Sequence, residues 1–442
     1  MSDLLAIGAS GIKAYSRALS VVGDNIANAQ TDGYVRRTVR LEEAPAGGEI
    51  VLSRNSIRPG GVSAAGVTRE FDQWLVDDAR TASGEAARQS TRLNWISATE
   101  SALGNGGDSI STNVTAIFAT ADQLSANPND ATLRQQFLSN VDASASAFRR
   151  TANALDSVAN GLSTEAQSAV DQINTDLSAL SRLNDGLRRA CVGSTNEATL
   201  LDERDRLVGN VAAAMNVDVS YDARGAAIVR TPAGDTLLDG SVTASVTLGV
   251  SAGGVISFGI APATLLQPTS GRFAGLLDAS AHIASQRTAL DQLAAQFSNT
   301  LNTAHQAGID ANGNPGGALL NFTGSAADLA AVALAVTEVA AANATSGNGN
   351  ILAFNTARTS SGIEQNITAF ITQQAQATSA ARAQEAAASS RRDNAFAARD
   401  AVGAVDLDRE AADLLRFQQA YEAAARTIQV ARETMQTMLN IF

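Results

Sequence analysis

Residues 405–442 read VDLDREAADLLRFQQAYEAAARTIQVARETMQTMLNIF, and their spacing decides the fold. Leu407, Leu414, Tyr421, Ile428, Met435 and Phe442 recur every seven residues, and Phe417, Ala424, Ala431 and Met438 follow three behind four of them. Apolar a and d positions at that spacing line one seam of a helix, as in a coiled coil. Neither Gly nor Pro follows Gly403, and large apolar side chains continue to the last residue, where a chain is usually frayed and polar. The first residues carry a matching pattern: Leu5, Ile12, Leu19 and Ile26 are seven apart, with Gly8, Tyr15 and Val22 in the companion positions. The commoner origin of an apolar helical stripe is an ordinary core face. A repeat close to seven at both ends argues otherwise, because such helices are marginal alone. Each buried Leu or Ile contributes roughly 1.5–3 kcal/mol only where something dry covers it. The terminal helices are therefore expected to pair with each other, with other copies, or with both.

Composition narrows the function. Of 442 residues 45% are hydrophobic but only 4% aromatic, which favours closely packed helices over a bulky core. A net charge of −12 argues against nucleic acid and against an anionic membrane surface as partner. Lys13 is the only lysine, a bias without a physical account beyond genome composition. Cys191 is the only cysteine, so no intrachain disulfide can form. No apolar run reaches the ~18–20 residues of a membrane span, so no membrane insertion is expected. The first residues lack the basic region of a cleavable signal, and Gly8 and Gly11 interrupt their short apolar segment.

Inward from the termini, the first helix is expected to end near Asn28, with Gly33 taking a positive φ in the turn that follows. Residues 34–69, with β-prone Tyr34 to Leu41 and Ile50 to Leu52 among Pro45, Gly47, Gly48, Pro59, Gly60 and Gly61, read as extended connections and loops. Helices are expected over 71–103 and 110–126. Long antiparallel helices are expected over 131–189, where Ile173, Leu180 and Leu187 form a further row. After Asn216 the period falls to two: Val217, Val219 and Tyr221, then Val242, Ala244, Val246, Leu248 and Val250, alternate with polar or glycine residues. Helix returns at 275–306 and in the final region. The expected fold is mainly α with a small β-domain: terminal coiled-coil helices, a long helical bundle and an inserted antiparallel β unit. Its parts are a helix at 1–35 pairing with one at 400–442, a bundle at 36–215 and 269–399, and a β-domain at 216–268.

A search for catalytic chemistry finds no active site, no cofactor and no metal centre. His282 and His305 are the only histidines and do not sit at ligand spacing. Asp202, Glu203 and Asp205, interleaved with Arg204 and Arg206, read as a solvated, salt-bridged helix face. Asp310-Ala-Asn-Gly-Asn314 fails the calcium-loop pattern at two places and reads as a turn.

The segment Asn25-Ile-Ala27-Asn28-Ala-Gln-Thr-Asp-Gly33-Tyr34 resembles the N-terminal signature of bacterial flagellar axial proteins. Tyr34-Val-Arg36-Arg37 is similar to the form used by the hook-associated protein 1 family. Gly66-Val-Thr-Arg69-Glu-Phe71-Asp-Gln-Trp74-Leu75, Leu200-Leu-Asp202-Glu203-Arg204-Asp205, Gln306-Ala-Gly308-Ile-Asp310-Ala-Asn312-Gly313 and Val405 to Tyr421 resemble that family in the same order. The resemblance implies a structural protein that self-assembles into a ring at the hook–filament junction. Its implied partners are hook protein, a second hook–filament junction protein and a flagellar export chaperone. It also implies an extracellular, flagellar location, reached by type III export without a cleaved signal. Rivals are another axial protein, a sister junction protein or a hook variant, and a helical adaptor or adhesin outside the flagellum. An enzyme is disfavoured by the missing constellation.

Overall fold

The computed structural model describes residues 2–31, 33–44, 60–104, 106, 108–262 and 264–440. The first helix, α1 (Ser2–Ala27), ends where Asn28 Nδ2 turns back to the Asp24 carbonyl at 2.9 Å, and Gly33 has φ +77. A positive φ is sterically cheap only without a Cβ, so glycine closes the turn. Next come β1 (Arg37–Ala44) and β2 (Gly61–Arg69), an antiparallel pair running from Arg37↔Arg69 to Ala44↔Gly61 with an irregularity at Arg40/Leu41. The extended connections and loops expected over 34–69 thus include a paired hairpin; five glycines and two prolines in the interval obscured the alternation. Ile50–Leu52 lies outside the described residues.

α2 (Gln73–Leu103) starts at Asp72, whose Oδ1 accepts from the amides of Trp74 and Leu75 at 2.8 and 3.3 Å. α3 (Ile110–Ala126) is capped by Ser109. α4 (Ala131–Arg189) is one unbroken helix of 59 residues, not the several antiparallel helices expected. Nothing in it could turn the chain: it has no proline, Asp130 caps its start, and Arg188 and Arg189 complement its C-terminal dipole. Val170, Ile173, Leu177, Leu180 and Leu187 are all buried along it. α5 (Thr195–Ala214) follows a Ser194 cap.

The expected single β unit is two sheets. β3 (Asp218–Tyr221), β4 (Ala227–Arg230), β5 (Thr236–Asp239) and β6 (Val242–Thr243) form one. β7 (Val246–Val250), β8 (Ile256–Ile260) and β9 (Thr264–Leu266) form the other. The apparent strand 242–250 is broken at Ala244, whose amide bonds to the Leu237 carbonyl at 2.9 Å. α6 (Gly271–Gln306) leads to β10 (Leu320–Asn321) and β11 (Ala330–Ala331), a short antiparallel pair. α7 (Gly349–Ser361), α8 (Ile363–Gly403) and α9 (Leu407–Leu439) complete the chain.

The contacts divide the chain into two compact units. One comprises Met1–Glu85, Gln172–Ser245 and Ser389–Phe442; the other comprises Ala86–Asp171 and Val246–Ala388. The division at Ser245 separates the two sheets. The second unit has an aromatic core: Phe148 stacks on Phe297 at 5.3 Å, Phe137 meets Phe354 edge-on at 5.6 Å, and Phe258 lies flat on Phe273 at 4.1 Å. In the same unit His305 is fully buried: its Nδ1 meets the Gly317 carbonyl at 2.7 Å and its Nε2 accepts from the Ala340 amide at 2.9 Å. Those two partners fix the neutral tautomer, and burial holds the imidazole below its usual value. Asp310 Oδ1 accepts from the amides of Asn312 and Asn314 at 2.8 and 2.7 Å, so this acidic loop is an Asx-type turn.

Candidate assembly interface

In the first unit α1 and α9 run antiparallel. Gly8 faces Ala424 and Ile428, Gly11 faces Ala424, the Tyr15 and Phe417 rings lie 6.5 Å apart, and Asn25 reaches Glu410. A Cβ placed on Gly8 would stand 2.6 Å from Ile428 Cγ1 and 3.2 Å from the Ala424 carbonyl oxygen. The helices therefore touch closely at Gly8, where any larger residue would force Ile428 to move. On α1 the most buried positions are Gly8, Gly11, Ala14, Ala18, Val21, Val22 and Asn25. On α9 they are Glu410 and Ala431.

The expected interface residues are thus sorted by the structure. Gly8 and Val22 are buried; Leu5, Ile12, Tyr15, Leu19, Leu414, Phe417 and Ile428 are half-buried. Ile26, Leu407, Tyr421, Met435 and Met438 are exposed within the chain, and Phe442 lies outside the described residues. Beside the row of Gly8, Tyr15 and Val22, a second heptad row faces α9: Gly11, Ala18 and Asn25, one position from the larger Ile12, Leu19 and Ile26. Weighting apolar size hid this row; the small residues at 8, 11, 14 and 18, three or four apart, are the signal that could have revealed it. Across its other side α1 meets the hairpin: Val62 N donates to Ser10 Oγ at 3.2 Å, and Val21, Val67 and Ala198 pack together.

The C-terminal end of α1 carries a buried polar cluster. Asn25 is fully buried and all its hydrogen-bonding capacity is used. Its Oδ1 accepts from Tyr34 Oη at 2.9 Å and from the Arg37 amide at 3.1 Å. Its Nδ2 donates to the Arg37 carbonyl at 2.8 Å and to Glu410 Oε2 at 2.9 Å. Arg36 places Nε 2.6 Å from Glu410 Oε1, Nη1 2.6 Å from Glu70 and Nη2 3.2 Å from Asp413. Burial opposes the Arg36 charge, but its bonds to Glu70 and Glu410 outweigh that and raise its pKa. The Tyr34 phenol is pushed up to about 12, chiefly by burial. Of the remaining signature residues, Asn28 builds the turn after α1 and Ala27 is exposed at its last residue.

The cluster continues into α5. Arg37 pairs with Asp202 at 2.6 Å, and Arg69 bridges Asp202 and Asp205 at 2.7 Å each. Arg204 holds Asp205 at 2.6 Å and lies over the Tyr221 ring at 4.0 Å. The reading of 202–206 as a solvated face is corrected here. Only the Glu203–Arg206 pair is exposed; Arg204 is buried, and Asp202 is 11% exposed against two buried guanidinia. Burial raises the Asp202 carboxyl against the pull of Arg69 and Arg37. Three stretches far apart in sequence, at 25–37, 202–205 and 410–413, thus meet in one network. Removing one partner of such a buried pair costs roughly 3–5 kcal/mol.

Among the described residues no group of three His, Cys, Asp or Glu side chains could hold a metal ion, and no helix is long and apolar enough to cross a membrane.

A family model for the flagellar hook-associated protein FlgK helical domain matches residues 96–320, just over half of the chain. Models of a flagellar basal body rod protein and of the FlgEFG rod-protein C-terminus match 5–34 and 404–441, the regions of α1 and α9. Flagellar hook-associated protein 1 of Salmonella typhimurium is 29% identical over 72% of this chain and 59% of its own length. The chain thus spans under two thirds of that relative. The protein of the same name from Bacillus subtilis is 25% identical, over 97% of this chain and 96% of its own length. The solved structure of the flagellar hook junction protein FlgK from Burkholderia pseudomallei shares the fold, with a TM-score of 0.50 at 23% identity over 55% of this chain and 46% of that one. With the helical-domain match covering more than half of the sequence and the rod-type matches falling on the two helices that pair, the chain belongs to the FlgK family of flagellar hook-associated proteins.

Proposed function

We propose that the protein is a structural component of the flagellum that forms a ring at the junction between hook and filament. Its copies associate through α1 and α9, with hook protein on one side and a second junction protein on the other. It acts without catalysis, and it reaches the extracellular flagellum through the flagellar export apparatus with the help of a chaperone. One observation carries this reading. After α1 and α9 have paired, Leu4, Ile7, Ile26, Leu407, Leu415, Val430, Met435, Met438 and Leu439 are still exposed on them. Large apolar side chains gathered on two paired helices mark a surface that another protein covers. The names of the relatives, which refer to hook association and the hook junction, support the same location. Electron microscopy of cells lacking the protein tests the proposal. Bare hooks, with flagellin released into the medium, support it; filaments of normal number and length on such cells overturn it.

A further inference from the structure

We infer that Glu410 is the residue that fixes the register of α9 on α1, with Asn25 and Arg36 as its receptor. Apart from Glu410 and the partly exposed Asp413 beside it, which also meets Arg36 at 3.2 Å, the contact does not define one alignment by its chemistry. On α1 the facing rows are Gly8, Tyr15, Val22 and Gly11, Ala18, Asn25; on α9 the row is Glu410, Phe417, Ala424 and Ala431. Both repeat every seven residues, so sliding α9 by one heptad again sets small and apolar groups against each other. Heptad seams with few distinguishing side chains slip in this way, and a single buried polar residue is a known means of preventing it.

Here the polar residue has one fitting position. Glu410 has a fully buried side chain, and its two oxygens take the Arg36 Nε and the Asn25 Nδ2. Asn25 has no spare capacity to turn elsewhere, because its other three hydrogen bonds hold Tyr34 and both backbone groups of Arg37. Arg36 is 4% exposed and tied by its own amide to the Gly403 carbonyl at 2.8 Å. A slip in one direction brings Phe417 to this receptor and leaves an Asn amide and a guanidinium N–H unpaired. A slip in the other direction carries the receptor beyond the start of α9 and moves Glu410 back along α1 to the place of Phe417, against the apolar seam near Tyr15 and Ala18. Either arrangement buries an uncompensated polar group or charge. The Gly8–Ile428 approach favours the same register sterically, so the test must separate fit from charge.

The separation is possible in the purified full-length chain with Cys191→Ser as background. Gly11→Cys with Ala424→Cys reports the observed register, since a Cβ at Gly11 lies 3.0 Å from that of Ala424 and a small outward shift brings the pair to the roughly 3.5–4.5 Å of a disulfide. Gly11→Cys with Ala431→Cys, and Gly11→Cys with Phe417→Cys, report slips of one heptad each way. With Glu410 present, oxidation at high dilution should give the intrachain bond only in the first pair. With Glu410→Leu, which keeps the seam apolar and Gly8 intact, the ratio of observed to slipped bond should fall at least about tenfold, equivalent to about 1.4 kcal/mol. If Glu410→Leu still gives the bond only in the first pair, steric fit sets the register and the inference is overturned. Loss of every bond in that variant overturns it too, because Glu410 then holds the helices together without choosing their alignment. The inference draws its cellular meaning from the proposed assembly role. The bond pattern is read in the isolated chain, so it stands or falls whether or not filaments attach.

Discussion

Tyr34 donates its hydroxyl to an asparagine that has no other partner for that lone pair. Tyr34→Phe should therefore lower stability by about 1 kcal/mol, the usual net worth of such a bond, as read by chemical denaturation. The raised phenol also gives a pH signature. Its folded value of about 12 exceeds the ordinary 10.0, so the fold favours the neutral form. Stability from this group is complete below pH 10 and is lost as pH rises towards 12. An ultraviolet difference titration should show Tyr34 ionising late, and Tyr34→Phe should abolish that phase. At Gly8 the constraint is steric. Gly8→Ala places a methyl group 2.6 Å from Ile428 Cγ1, and crowding of this kind costs typically 1–3 kcal/mol. Protease digestion should then trim α9 faster than in the unaltered chain. At this scale the sequence was legible in part. Asn25, Tyr34 and Arg36 stood out through a family resemblance, but Glu410 lay unremarked inside a quoted motif. A carboxylate among Asp408, Arg409 and Asp413 reads as surface charge until its partner, hundreds of residues away, is seen.

At the level of elements, the long helices were the legible part, because proline-free runs and capping residues are local signals. The β-structure was less so. Alternation through Val242, Ala244, Val246, Leu248 and Val250 gave no hint that Ala244 ends one sheet and Val246 begins another, since strand partnership is set by contacts remote in sequence. Replacing 216–262 by a Gly-Ser linker removes strands from both units, among them Phe258 from its stack on Phe273. Phe258→Ala alone should cost about 3–5 kcal/mol, the range for emptying a buried aromatic site, with the loss read in thermal unfolding. His305 supplies an acid-sensitive counterpart. Burial lowers its pKa, so the neutral ring is the stable form and its contribution is complete above about pH 6.5. Protonating Nε2 would set a donor against the Ala340 amide, so stability should fall as pH drops below that value. His305→Gln keeps one donor and one acceptor in the side chain without titrating, and should flatten this part of the stability profile.

For the whole molecule, the central claim is that the apolar surface left on α1 and α9 exists for assembly, not for the fold. Most of the exposed large apolar side chains among the described residues belong to the unit that holds these helices. The heptad spacing led to the expectation of such a surface on the terminal helices. Of the members that close the pair within the chain it picked out Gly8, Tyr15, Phe417 and Ile428, but not the small residues and the one acid beside them. Leu414 and Ile428 are half-buried within the chain, Ile428 against Gly8, so changing them mixes folding with assembly. Leu415 and Val430, 59% and 60% exposed, do not have this ambiguity. The direct measurement is thermal unfolding of purified Leu415→Asp and Val430→Asp, set beside filament attachment in cells producing each, with exposed Gln429→Asp as the matched control. The account predicts unfolding within about 0.5 kcal/mol of the unaltered protein for all three, as is usual for surface changes. It also predicts filaments lost with the first two and kept with the control. Normal filaments in cells producing Leu415→Asp and Val430→Asp would contradict it.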